Sequence, residues 1–162
     1  MGEDRDGKDR SPSWNADLVR RAIEEIWNQG NLDEADRLFT DDYVNVGGLV
    51  PDVIRGPEAI KLAVALHHTA FPRLSITIDR MISEGQIVAF QWIARNSAIN
   101  ASLGPPLKES DRTLEGMAFC RIVSGKIAKS WVRWDSSRLL SRLVGEAGLP
   151  PGLSVYSPSG LN

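Results

Sequence analysis

A chain of 162 residues, 42% of them hydrophobic and 25% charged, suits one domain, and at this size roughly two-thirds of the unfolded surface can be buried. Nineteen basic residues against 21 acidic ones leave a formal charge of −2 with no dense Lys/Arg stripe, which argues against nucleic acid as a partner. No apolar run approaches the roughly 20 residues that span a bilayer, so no membrane partner is expected. The N-terminus, Met1-Gly2-Glu3-Asp4-Arg5-Asp6, has neither an apolar secretory core nor a myristoylation pattern. The single cysteine, Cys120, excludes an internal disulfide framework and fits a reducing compartment, so a cytoplasmic protein is expected. Two histidines and one cysteine also argue against a His/Cys zinc site, and no metal is expected.

The charged stretch 1–13 holds seven charges and, Met1 apart, no hydrophobic residue, so it reads as a disordered tail. From residue 146 onward the chain is rich in Pro, Gly and Ser and reads as a second tail, leaving 14–145 as the folded domain. Within it, Asp17 to Gln29 sets Leu18, Val19, Ala22, Ile23, Ile26 and Trp27 on one helical face, with Gly30 as the stop. Asn31-Leu32-Asp33-Glu34 resembles a capping box and opens a short helix burying Leu32, Ala35, Leu38 and Phe39. Tyr43 to Val46 is a short strand, and Pro57 starts a third helix that runs to about Ala70.

The period then changes from helical to two. Leu74 to Ser83 alternates, Glu84-Gly85-Gln86 turns, and Ile87 to Ile99 forms a second long strand. A loop at roughly 98–111 containing Gly104-Pro105-Pro106 reads as a rim or lid. Arg112 to Val123 and Lys126 to Trp134 form a hairpin about Ser124-Gly125, and Ser136 caps a short C-terminal helix. Helices followed by long antiparallel strands give the α+β class. The expected architecture is a curved, mixed but mostly antiparallel sheet, wrapped by three N-terminal helices into a cone with an internal pocket. Leu114, Gly116, Ala118, Cys120 and Ile122 share one strand face, and if that face lies outward it offers a smooth apolar strip for dimerisation. Cys120 has no neighbour in sequence that would stabilise a thiolate and is expected to be inert.

The order of several short stretches resembles the SnoaL-like polyketide cyclase family, within the nuclear transport factor two-like superfamily. They are Trp27-Asn28-Gln29-Gly30-Asn31, Asp42-Tyr43-Val44, Arg55-Gly56-Pro57-Glu58-Ala59, Phe71-Pro72, Glu84-Gly85-Gln86-Ile87-Val88, and Gly125-Lys126-Ile127 leading to Trp131 and Asp135. The resemblance covers nearly all of 17–145. It implies a cofactor-independent enzyme, a homodimer or homotetramer, acting on a hydrophobic small-molecule substrate of polyketide-like type. The chain departs from the family pattern at Arg73, at Val46 and at Asn96-Ser97-Ala98, where the family often has Asp, His and Gly-Thr-His.

Six residues are candidates for the site. In the resembling cyclases the aspartate closing the last strand, four residues after a tryptophan, is the general acid/base, which points to Asp135. Strand alternation puts Trp131, Arg133 and Asp135 on one face, where indole rings in a dry pocket would raise the carboxyl pKa. Asp135 also reads as the entry to the last helix. Arg95 either lines the cone and binds an enolate oxygen or is an exposed strand arginine. At 100° per residue His67 falls inside the apolar arc of its helix, as a substrate contact or a satisfied core residue, while His68 falls on the solvent side. Tyr43 is either a phenol donor or a packing residue, and Trp131 and Trp92 are expected pocket walls. The leading expectation is aldol-type acid/base cyclisation. The alternatives are an epoxide hydrolase, which wants a second acid where Ser97 stands, an isomerase, and a non-catalytic small-molecule-binding module.

Overall fold

The computed structural model describes residues 11–48, 50–96 and 113–135. The expected C-terminal helix, the rim loop and Ser97 lie outside the described residues, as do most of both expected tails.

Helix α1, Pro12–Arg21, begins under Ser11, whose side chain accepts the Trp14 N–H, with proline in its first turn. It runs without a break into a π-helical segment, Ala22–Asn28. There the Gln29 N–H reaches back five residues to the Glu24 carbonyl at 3.0 Å. Gly30 follows at a φ of +71°, a left-handed conformation open to glycine, and stops the helix as expected. Within the π-helical segment Ala22, Ile23 and Trp27 border the pocket, and Ala22 and Ile26 are buried in the core.

The second helical element is a 3-10 turn, Leu32–Glu34, leading into the single-turn helix α2, Ala35–Leu38. Its expected capping box is corrected: the Asn31 side chain makes no cap bond and instead donates to Glu25 at 3.5 Å. Glu34 is buried and ion-paired with both Arg21 and Arg37. Strand β1 is Phe39–Val46, longer than alternation alone suggested. Helix α3, Pro57–Ala70, matches the expected bounds.

The remaining strands are β2 Leu74–Glu84, β3 Ile87–Asn96, β4 Thr113–Val123 and β5 Lys126–Trp134. They form a five-stranded sheet in the order β1-β5-β4-β3-β2. The β1–β5 pair is parallel and the other three pairs are antiparallel, so the sheet is mixed but mostly antiparallel. The main core joins α1, the π-helical segment, α2 and α3 to the inner face of the sheet through Val19, Ile26, Leu38, Val64, Val88 and Ile127. A smaller cluster around Phe71, Leu74, Ile76, Ala94 and Leu114 fills the end near the C-terminus of α3. No helix among the described residues is long and apolar enough to cross a membrane.

The apolar strip on β4 faces the helices. Leu114, Ala118, Cys120 and Ile122 are buried, whereas Glu115, Met117, Phe119 and Arg121 are exposed on the outer face. The strip therefore belongs to the core and is unavailable as a dimer surface.

Candidate functional site

The sheet and helices leave between them a pocket that opens to solvent at its mouth. Most of its wall is aliphatic or aromatic: Val19, Ile23, Ile60 and Ala63 from the helices, and Ile76, Phe90, Ala118 and Val132 from the strands. Four larger rings stand together. Trp27 meets the His67 imidazole edge-on with centroids 4.9 Å apart, and Trp134 lies tilted at 5.3 Å from the same imidazole. Trp92 continues the cluster at 6.1 Å from Trp134.

Gly116 makes room for that last indole. A β-carbon there would overlap the Trp92 ring and lie 2.8 Å from the Arg133 carbonyl oxygen. Trp92 and Gly116 are register partners across β3 and β4, so the absent side chain lets the indole lie over the β4 backbone.

His67 sits in the last turn of α3 and is only 9% exposed. Its Nδ1 is 2.6 Å from the Ala63 carbonyl oxygen one turn earlier. A carbonyl only accepts, so Nδ1 carries the proton and Nε2 is the basic nitrogen of a neutral ring. Burial pushes the imidazole pKa down to about 4, with the Ala63 bond opposing and the neighbouring His68 adding to the depression. The ring is thereby neutral over the physiological range. His68, expected on the solvent side, is instead half-buried and bonded through Nε2 to the Trp27 carbonyl at 2.7 Å. The two adjacent histidines thus hold the same tryptophan, His68 by its backbone carbonyl and His67 by its ring.

At another part of the wall, Tyr43 and Asn45 project from β1, and Ser130 and Cys120 from β5 and β4. Ser130 Oγ lies 3.4 Å from Cys120 Sγ and also bonds the Tyr43 hydroxyl. Burial raises the Tyr43 pKa above its usual value, the Ser130 bond working against this, so the phenol stays protonated. Burial also pushes the Cys120 thiol up to about 11, which leaves it un-ionised and fits the inertness expected of it. Tyr43, Cys120 and His67 are thus all held neutral.

The expected site residues divide. His67, Tyr43 and Trp92 line the pocket together. Trp131, Arg95 and Asp135 are not among its lining residues. Arg95 and Asp135 are exposed, and Trp131 lies under the Lys129 ammonium, 4.9 Å from the ring centroid. The dry, indole-lined setting expected for Asp135 is therefore corrected. The cause is a bulge. In β5 the register against β4 steps from Arg121–Lys129 to Ile122–Ile127, leaving Ala128 without a partner. One extra residue flips every later side chain to the opposite face. Ser130, Val132 and Trp134 consequently enter the pocket, and Trp131, Arg133 and Asp135 do not. On β3 the inward face is Phe90, Trp92 and Ala94, the face that Arg95 does not share.

Sequence reading missed Trp27, Trp134, Asn45 and Ser130 as pocket residues. Trp27 shares an apolar helix face with Val19 and Ala22, and all three border the pocket. Among the described residues no group of three or more His, Cys, Asp or Glu is placed to hold a metal ion.

A family model described as SnoaL-like polyketide cyclase matches residues 17–143. No curated protein matches the sequence. Several solved structures are similar in fold. A proposed SnoaL-like polyketide cyclase from Jannaschia sp. CCS1 aligns at 20% identity and a TM-score of 0.63, over 86% of this chain and 99% of the other. IdmH from Streptomyces antibioticus, also a proposed polyketide cyclase, aligns at 21% identity and 0.62, over 80% and 97%. AclR from Streptomyces galilaeus, a proposed hydroxylase, aligns at 19% identity and 0.61, over 82% and 97%. At these identities the likeness establishes the shared α+β fold.

Proposed function

The chain belongs to the SnoaL-like polyketide cyclase family, and from that premise we propose that it is a proton-transfer enzyme acting on an uncharged, hydrophobic carbonyl compound, with His67 as the acid/base. One observation carries this reading: an apolar pocket holds a buried imidazole neutral, with its Nδ1–H committed to the Ala63 carbonyl. That leaves Nε2 as a lone-pair base beside the indoles of Trp27 and Trp134.

The chemistry follows from the groups present. A ligand carbon next to a carbonyl gives its proton to His67 Nε2, and the C–H electron pair moves toward the carbonyl oxygen to form an enolate. The enolate carbon attacks a second carbonyl of the same molecule, forming the C–C bond. The proton on His67 then passes to the new alkoxide, so the closure is a net isomerisation and consumes no co-reactant. Asp135, exposed after Trp134 at the end of β5, is the second acid/base candidate, which the family resemblance favours and the pocket wall does not include.

The epoxide hydrolase alternative is less well supported, because Arg95 is exposed and lies outside the pocket wall. The binding-module alternative differs from the enzyme in one readout. In deuterated buffer, 2-tetralone, an uncharged bicyclic ketone, should exchange its α-hydrogens faster with the protein present than with buffer alone, followed by proton NMR. Saturable binding of the ketone without any acceleration of exchange would reduce the protein to a binding module.

A further inference from the structure

We propose that Asn45 is the specificity-determining contact of the pocket, and that its side-chain oxygen accepts a hydrogen bond from a hydroxyl group of an otherwise apolar, uncharged ligand. The inference rests on the small-molecule reading above and narrows it from a hydrophobic compound to one carrying an O–H donor, of phenol, enol or alcohol type.

Three side-chain oxygens among the described residues are buried and have no hydrogen-bond partner: those of Asn15, Thr40 and Asn45. Of these, only the Asn45 side chain belongs to the pocket wall. Asn45 is 8% exposed and lies near the end of β1, opposite Ser130 in the parallel pairing with β5. Ser130 is the natural donor to it by position, but its hydroxyl is engaged with Cys120 Sγ and with Tyr43. The neighbouring polar groups therefore satisfy one another and leave the amide oxygen out.

The amide is also held in place. Gly48 covers it so closely that a β-carbon at that position would stand 2.5 Å from Asn45 Nδ2 and 3.0 Å from Cγ. A buried acceptor without a donor costs free energy that a ligand donor returns, and a ligand lacking that donor leaves the cost standing. The surrounding groups decide the donor's charge. His67, Cys120 and Tyr43 are all neutral, and the described lining residues include no Asp or Glu to stabilise an ammonium or guanidinium there, so a neutral hydroxyl fits better.

The test compares 2-naphthol with 2-methoxynaphthalene, which share the ring system and differ in the O–H donor. By calorimetry at pH 7, the wild-type protein should bind 2-naphthol about tenfold more tightly. Asn45→Leu should lose that preference while keeping its affinity for 2-methoxynaphthalene within about twofold, which also reports that the pocket remains folded. Equal binding of the two probes by wild type, or a preference that survives in Asn45→Leu, overturns the proposal and leaves the hydrophobic pocket standing. If neither probe binds wild type, the small-molecule reading fails along with it. If the leucine variant does not fold, Asn45→Ala takes its place, and a preference for 2-naphthol that survives in it overturns the proposal equally.

Discussion

Replacement of His67 by glutamine should slow the protein-catalysed exchange of 2-tetralone α-hydrogens by about 100-fold or more, the range in which general acid/base groups contribute. Glutamine fills similar space and can still donate to the Ala63 carbonyl, but it cannot take up a proton at neutral pH. Affinity for the ketone should change little, because the aromatic walls formed by Trp27, Trp92 and Trp134 remain. The matched control is Asp135→Asn. If His67 is the base, that variant should retain exchange to within a few-fold, since Asp135 is exposed and lies outside the pocket wall. The reverse pattern, loss in Asp135→Asn and retention in His67→Gln, would return the acid/base role to the aspartate. Circular dichroism of both variants separates lost chemistry from lost fold.

The same imidazole should make the protein acid-sensitive. In the unfolded chain a histidine titrates near 6.5, and in the folded protein burial lowers His67 to about 4. The unfolded state thus binds more protons between those values. Stability is fully present above pH 6.5 and falls as the pH drops from 6.5 toward 4. The loss attributable to this one group is about 3 kcal/mol across that window, a large fraction of the stability of an ordinary domain. Carboxylates titrate at the lower end of the same range, so the clean quantity is a difference. Urea unfolding at pH 7.5 and pH 4 should show wild type losing about 3 kcal/mol more than His67→Gln. Equal losses in the two proteins would mean that His67 is protonated in the folded state or is not buried as described.

Much of the fold was legible because local patterns and tertiary demands agree. The alternation from Leu74 to Ser83 became β2, Pro57 opened α3, and Ser124-Gly125 turned β4 into β5. The 3.6-residue period also placed His67 correctly, since its helix packs one continuous apolar arc on the sheet. The site was harder to read where a single residue changed the register. Counting along Lys126 to Asp135 assigns Ile127, Trp131 and Asp135 to one face, and nothing in Ile127-Ala128-Lys129-Ser130 announces that Ala128 is skipped. The bulge exchanges Trp131 for Trp134 and removes Asp135 from the wall.

A related ambiguity affects β4. Leu114, Ala118, Cys120 and Ile122 form one apolar face by count, but alternation cannot say whether that face meets helices or another subunit. The structure turns it inward and sets Met117 and Phe119 outside, 52% and 44% exposed. Trp27 falls by count on the apolar helix face with Val19, Ala22 and Ile26, and periodicity does not say which of these border a cavity. Asn45 reads in sequence as an ordinary polar residue of a strand. Its significance comes from the donor it lacks, which is visible only once Ser130, Tyr43 and Cys120 are seen to be engaged with one another.

Both the acid/base role and the acid sensitivity require a neutral His67 ring protonated on Nδ1. Nitrogen-15 NMR of the imidazole, recorded from pH 8 down to pH 5, reads its charge and tautomer directly. The structure predicts one pair of resonances that does not titrate over that range, with the protonated shift on Nδ1 and the basic shift on Nε2. A ring that gains a second proton near pH 6.5, or that carries its proton on Nε2, would contradict the account.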